Sequence, residues 1–228
     1  MRPVFKCCLV VFYIYFFKLL SLVAIALFCY VFFDSVAWLP LLLGECVVFA
    51  ALYLVYKFYN PGLAVVKGDN RRKVFYTLSA FLCMFMLSAL VVVYESQFKV
   101  SPFSQYSLGY AIVPVLSSVL CAPIREELFY RHWLISYMRK YNLSGRIILL
   151  VSSITFYLPH VSFGLGEWTL ANLRLDVLLS GVILYFLYIR TNDYRCCVVA
   201  HALSNLFLDV VLYNCFNLSF LRWIQFVS

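Results

Sequence analysis

The sequence predicts an all-α, polytopic transmembrane helix bundle of about seven to eight spans, and three observations support it. Of 228 residues, 65% are apolar and only 12% are charged, against roughly half and a quarter in soluble domains. The apolar residues come in runs close to the ~20 a helix needs to cross the hydrocarbon core. The cations gather between those runs, where topology signals sit.

Taken in order, the spans fall at 8–33, 36–56, 74–94, 107–135, 146–165, 173–189 and 196–216. The first run is too long for a signal-peptide core and is followed by no clear small-residue cleavage site. It reads as a retained span behind Arg2 and Lys6, with Lys18 snorkelling from it. Leu218–Val227 is too short to cross, so an eighth helix at either end is partial or tilted. There is no internal repeat, low-complexity linker or soluble domain. The chain divides into N-terminal transmembrane helices over 1–104 and a helical core over 105–228, within one integral membrane bundle.

The chain carries 18 Lys and Arg against 10 Asp and Glu. Arg2 and Lys6 precede span one, and Lys57, Lys67, Arg71, Arg72 and Lys73 follow span two. Arg139, Lys140 and Arg146 follow span four, and Arg190 and Arg195 follow span six. The alternate loops hold Asp34, then Glu95 with Lys99, then Glu167 with Arg174 and Asp176. Cations on every second loop place the N-terminus in the cytoplasm and the chain in a bilayer as a multi-pass protein. Because they do not form one solvated basic face, nucleic acid is not an expected partner. The nine cysteines include no zinc-like CxxC pair and mostly read as small buried hydrophobes.

Ionisable residues inside a span cost at least a few kcal/mol each and mark function. Span four holds Arg125, Glu126, Glu127, Arg131 and His132; span five holds His160 after Pro159; span seven holds His201, Asn205 and Asp209. Span two has a lone Glu45, to which no role is assigned. Glu127 and Arg131 are four apart and share a helix face, as do His201 and Asn205, and Phe156 and His160. Three helices thus present polar faces, and a bundle hides such faces by turning them toward one another. Depth is a check on that meeting. At 1.5 Å per residue, Glu126 lies about 20 Å from Arg139 and His160 about 21 Å from Arg146, but His201 only about 9 Å from Arg195. Span seven therefore meets the others at their depth only if its loop dips into the bundle.

A carboxylate beside an imidazole, screened from bulk water, activates a water as general base. With two glutamates and one arginine, Arg131 neutralises one carboxylate and leaves the other for proton transfer. A second histidine and an asparagine are donors suited to the oxyanion at an attacked carbonyl. No serine or cysteine has a base at helical spacing, so water is the expected nucleophile and peptide hydrolysis the expected reaction. No cofactor is called for. Two other readings stay open: a zinc hydrolase using Glu126, His160 and His201 without an HExxH motif, and a non-catalytic membrane protein for peptide binding or immunity. His132 is expected at the interface, and Asp209 as structural.

These residues resemble a known family. Glu126-Glu127-Leu128-Phe129-Tyr130-Arg131 matches an EExxxR motif, Phe156-Tyr157-Leu158-Pro159-His160 an FxxxH motif, and His201-Ala202-Leu203-Ser204-Asn205 an HxxxN motif. The stretch from Gly181 through Tyr188-Ile189-Arg190-Thr191 to Ala200 agrees as well. Together they resemble the CPBP family of CAAX prenyl proteases and bacteriocin-processing or immunity enzymes, over about residues 105–216. The resemblance implies an intramembrane glutamate protease of the bacterial plasma membrane or endoplasmic reticulum, acting on a peptide or lipidated-protein substrate. It implies Glu126 as the water-activating base assisted by His160, Glu127 and Arg131 as supporting residues, and His201 and Asn205 as the oxyanion site.

Overall fold

The computed structural model describes residues 69–96, 116–161 and 174–208, together with residues 5, 46–47, 49–50, 52–54 and 57. The expected spans at 8–33 and, for the most part, 36–56 lie outside the described residues, as do Glu45, Asp209 and Leu218–Val227. Among the described residues all regular structure is helical, with no strand.

Helix α1 spans Asn70–Ser96. Asp69 starts it, its side-chain oxygen accepting from the Arg71 amide at 3.0 Å, which satisfies one of the open amides of a first turn. Apolar residues then run round the whole cylinder. Thr77, Ala80, Met84 and Ser88 turn inward, while Val74, Phe75, Leu78, Leu82, Met86 and Leu90 are exposed. A contiguous exposed apolar stripe of this length fits a lipid-facing surface. Among the described residues α1 alone is, by itself, long and apolar enough to cross a bilayer, over Asn70–Leu90.

Helix α2 covers residues 116–140 and changes pitch along its length. Ser117–Cys121 and Leu128–Leu134 are π-helical, and Ala122–Glu127 and Ile135–Lys140 are α-helical. The helix runs five residues beyond the end expected for span four. It closes on Asn142, whose φ of 55° is the left-handed conformation asparagine tolerates. The amides of Asn142 and Leu143 then reach back to the carbonyls of Arg139 and Met138.

Helix α3, Gly145–Tyr157, starts at Ser144, whose side chain accepts from the Ile147 amide. Span five was expected to run helically to residue 165, but the α-helix stops at Tyr157. Leu158–His160 tighten into a 3₁₀ turn and Val161 is extended. Pro159 is the physical reason: it has no amide to donate and its ring crowds the preceding turn. Helix α4, Leu175–Thr191, and helix α5, Tyr194–Leu206, complete the described core.

Helix α1 packs on α4 and α5, α3 packs on α4, and α5 packs on the first half of α2. One end of this bundle is tied by charge. Lys73 Nζ at the start of α1 lies 2.9 Å from Asp193 Oδ2, between α4 and α5, and Arg139 donates to the Asn192 side chain at 3.5 Å. At the opposite end of α1 and α4, Ser88 donates to Asp176 at 3.4 Å. The basic residues of 71–73, 139–146 and 190–195 therefore gather at one end. Thr191 at the end of α4 and Asp193 in the turn before α5 are buried.

Candidate functional site

The middle of α2 carries the centre of the site. Arg125, Glu126, Glu127, Arg131 and His132 are all buried, and the switch from α- to π-helical winding falls at Glu127–Leu128. Such wide turns inside an α-helix recur at functional sites. Adjacent residues on a helix point about 100° apart, so the two glutamates face different neighbours.

Glu127 faces α5. Its Oε1 lies 2.9 Å from His201 Nδ1, and its Oε2 lies 3.1 Å from Arg131 Nε. Neither Glu127 nor Arg131 has any exposed side-chain surface. The Arg131 N–H does not point along the short contact, so this is an ion pair rather than an aligned hydrogen bond. The pairing agrees with the four-residue spacing. A carboxylate balanced by a guanidinium accepts hydrogen bonds only, so His201 Nδ1 carries the proton it shares with Glu127.

Glu126 faces α3. Its Oε1 accepts from Arg125 at 3.2 Å, and its Oε2 lies 3.9 Å from His160 Nε2, too far for a direct hydrogen bond. His160 Nδ1 lies 2.9 Å from the Phe156 carbonyl. A carbonyl only accepts, so Nδ1 is the protonated nitrogen, and a neutral His160 presents its Nε2 lone pair toward Glu126. The 3₁₀ turn at Pro159 places His160 at the end of its helix, partly exposed.

Asn205 stands one turn beyond His201 and donates to the Ser118 carbonyl at 2.9 Å, across to the first π-turn of α2. The structure therefore brings Glu126, Glu127, Arg131, His160 and His201 into one cluster, with Asn205 beside it on the same helix as His201. His132 is buried, its ring 4.9 Å from that of Tyr194. Among the described residues no three His, Cys, Asp or Glu side chains are arranged as ligands for one metal ion.

Sequence reasoning gave Phe156 no part beyond its place in a motif. Its buried ring lies under the Arg131 guanidinium, with 4.6 Å from Cζ to the ring centroid, and 5.3 and 5.9 Å from the rings of His160 and His201. Arg125 was noted only as one charge in a run, yet it pairs with Glu126. For Arg125 a signal existed: a cation inside a span needs a partner, and a neighbouring glutamate supplies one. For Phe156 none did, because one phenylalanine among 22 does not announce its neighbours.

Residues 108–207 match the family model described as type II CAAX prenyl endopeptidase Rce1-like. No curated protein and no solved structure matches the chain.

Proposed function

Because residues 108–207 match the model of the Rce1-like type II CAAX prenyl endopeptidases, we propose that this chain is a multi-pass intramembrane peptidase using a water activated by Glu126 and His160. The observation that carries the reading is the 3.9 Å separation of His160 Nε2 and Glu126 Oε2 where three helices meet. Both atoms are acceptors once Nδ1 is committed to the Phe156 carbonyl. A group that donates two hydrogen bonds, as water does, fits between them and keeps a lone pair for attack.

In the reaction that follows, the water oxygen bonds to the peptide carbonyl carbon and passes a proton to Glu126. The carbonyl oxygen becomes an oxyanion. Collapse of that intermediate breaks the C–N bond, and Glu126 returns the proton to the departing nitrogen, giving a carboxylic acid and an amine, which exchange a proton to become carboxylate and ammonium. His201 and Asn205 are the proposed oxyanion donors. With Nδ1 held by Glu127, His201 donates from Nε2 only as the imidazolium, with a proton on each ring nitrogen. Asn205 gives one amide hydrogen to Ser118, which leaves the second for the oxyanion. The Arg131–Glu127 pair fixes His201 and takes no proton itself.

The substrate class that fits the family is a prenylated CAAX-type peptide, with bacteriocin-like peptides as the second class to test. The basic residues collected at one end of the bundle support a cytoplasmic placement of that end and of the N-terminus.

The test is cleavage of a panel of prenylated and unprenylated peptides by detergent-purified protein, with folding of each variant checked by thermal unfolding. Glu126→Gln and His160→Ala are expected to fall by roughly 10²–10⁴-fold, the range of general acid–base catalysis, with chelator without effect. Cleavage by both variants at the wild-type rate would sink the proposal. Inactivation by chelator with recovery on adding zinc would move the chemistry to a metal held by Glu126, His160 and His201.

A further inference from the structure

Helices α3 and α4 pack closely at Gly181. A Cβ there would stand 3.2 Å from Phe156 Cδ1, 3.4 Å from Ser153 Cα and 3.5 Å from the Ser153 carbonyl oxygen. The Ser153 contacts are backbone and cannot swing aside, so the Phe156 ring is what would have to move. That ring is confined on its other sides. Arg131 lies over it at 4.6 Å, Tyr130 meets it edge-on at 5.4 Å, and the rings of His160 and His201 lie 5.3 and 5.9 Å away. The Gly181 carbonyl also accepts from Arg131 Nη2 at 3.5 Å. One missing methyl group therefore borders both carboxylate–imidazole pairs, through a single ring.

We propose that Gly181 is a positioning residue: lacking a Cβ, it seats the Phe156 ring between the Glu126–His160 and Glu127–Arg131–His201 sets and holds both in register. The inference rests on the hydrolytic reading for its consequence in rate, but not for its consequence in geometry. Gly181→Ala displaces the ring by a few tenths of an ångström. A 1 Å misplacement of reacting groups costs on the order of a hundredfold, so kcat is expected to fall about tenfold with KM little changed.

The experiment is a double-mutant cycle on the full chain, with Gly181→Ala made in the wild type and in the Phe156→Leu background. It is read by kcat and KM on a prenylated CAAX peptide and by ring ¹⁵N resonances. The chain has only three histidines, so single substitutions assign His132, His160 and His201. Gly181→Ala is expected to move the His160 and His201 signals, to leave His132 in place, and to add little in the Phe156→Leu background. Phe156→Leu alone, which adds no clash, is expected to move the same two signals, so a Gly181→Ala chain that fails to fold does not rescue the idea. An effect of Gly181→Ala that is equal in both backgrounds, or absent from both, overturns it, as do ring signals that Phe156→Leu leaves unmoved. If the wild type cleaves no peptide, the hydrolytic reading falls and the ring signals alone decide the positioning role.

Discussion

Arg131→Met removes the guanidinium that pairs with Glu127, a carboxylate with no exposed surface. In the intact site Arg131 Nε is 3.1 Å from Glu127 Oε2, and His201 occupies the other oxygen at 2.9 Å. After the substitution Glu127 keeps the imidazole alone. Breaking a buried ion pair from one side costs about 3–5 kcal/mol, because a charge is left in low dielectric. The lost stacking on Phe156, at 4.6 Å, falls within the same change and is not added separately. A central value of about 4 kcal/mol is roughly a thousandfold in the unfolding equilibrium. The assay is SDS-driven unfolding in mixed micelles, followed by the fluorescence of the chain's four tryptophans. Glu127→Gln combined with Arg131→Met removes both charges of the pair and is expected to recover most of the loss. Arg131→Lys restores the charge but not the planar stack, and is expected between the two. The reasoning is refuted if Arg131→Met lies within about 1 kcal/mol of wild type, or if the double variant is as unstable as the single one.

The Arg195 guanidinium, followed by the Lys73 ammonium, holds the Asp193 carboxyl down at about 2, from an ordinary value of 3.8. The folded value is the lower one, so the stabilisation is present in full above about pH 4 and is lost as pH falls from there through about 2. Allowing for screening of the exposed Arg195 head, it amounts to about 1–2 kcal/mol. Asp193→Asn keeps a competent cap for α5, so unfolding measured at pH 6 and pH 2.5 should show the variant destabilised at the first pH, with more than half of that gap gone at the second. Equal stability at pH 6 would contradict the assignment. Asn205→Ala is expected to lower kcat by about 10²–10³-fold if the amide meets the oxyanion. If its role is only the bond to Ser118, the change costs about 1 kcal/mol of stability and kcat stays within threefold.

Much of the site was legible from residue type and spacing. Charged and imidazole side chains inside apolar runs had to find one another, and Glu127 with Arg131 at four residues had a single plausible geometry. The shallow position of His201 along its span was also visible, but not the partner it would find there. Helix ends were harder. Pro159 carried the signal that α3 stops, but the apolar run continued past it and hid the break. The π-turns of α2 leave no mark in hydropathy, because hydropathy follows burial and not the pitch of the helix.

The sequence by itself determined that the chain partitions into a bilayer, because transfer free energy is additive over a run and needs no knowledge of neighbours. It also determined which residues must be buried together, since an ionisable group in hydrocarbon has no other refuge. Only the tertiary structure decided the partners. Glu126 meets His160 and Glu127 meets His201 because α3 and α5 stand on different sides of α2, and packing order is a property of the bundle rather than of any one helix. The same holds for Gly181 and Phe156, which are 25 positions apart and unremarkable in composition. Their importance lies in a contact of 3.2 Å, which exists only where two helices cross.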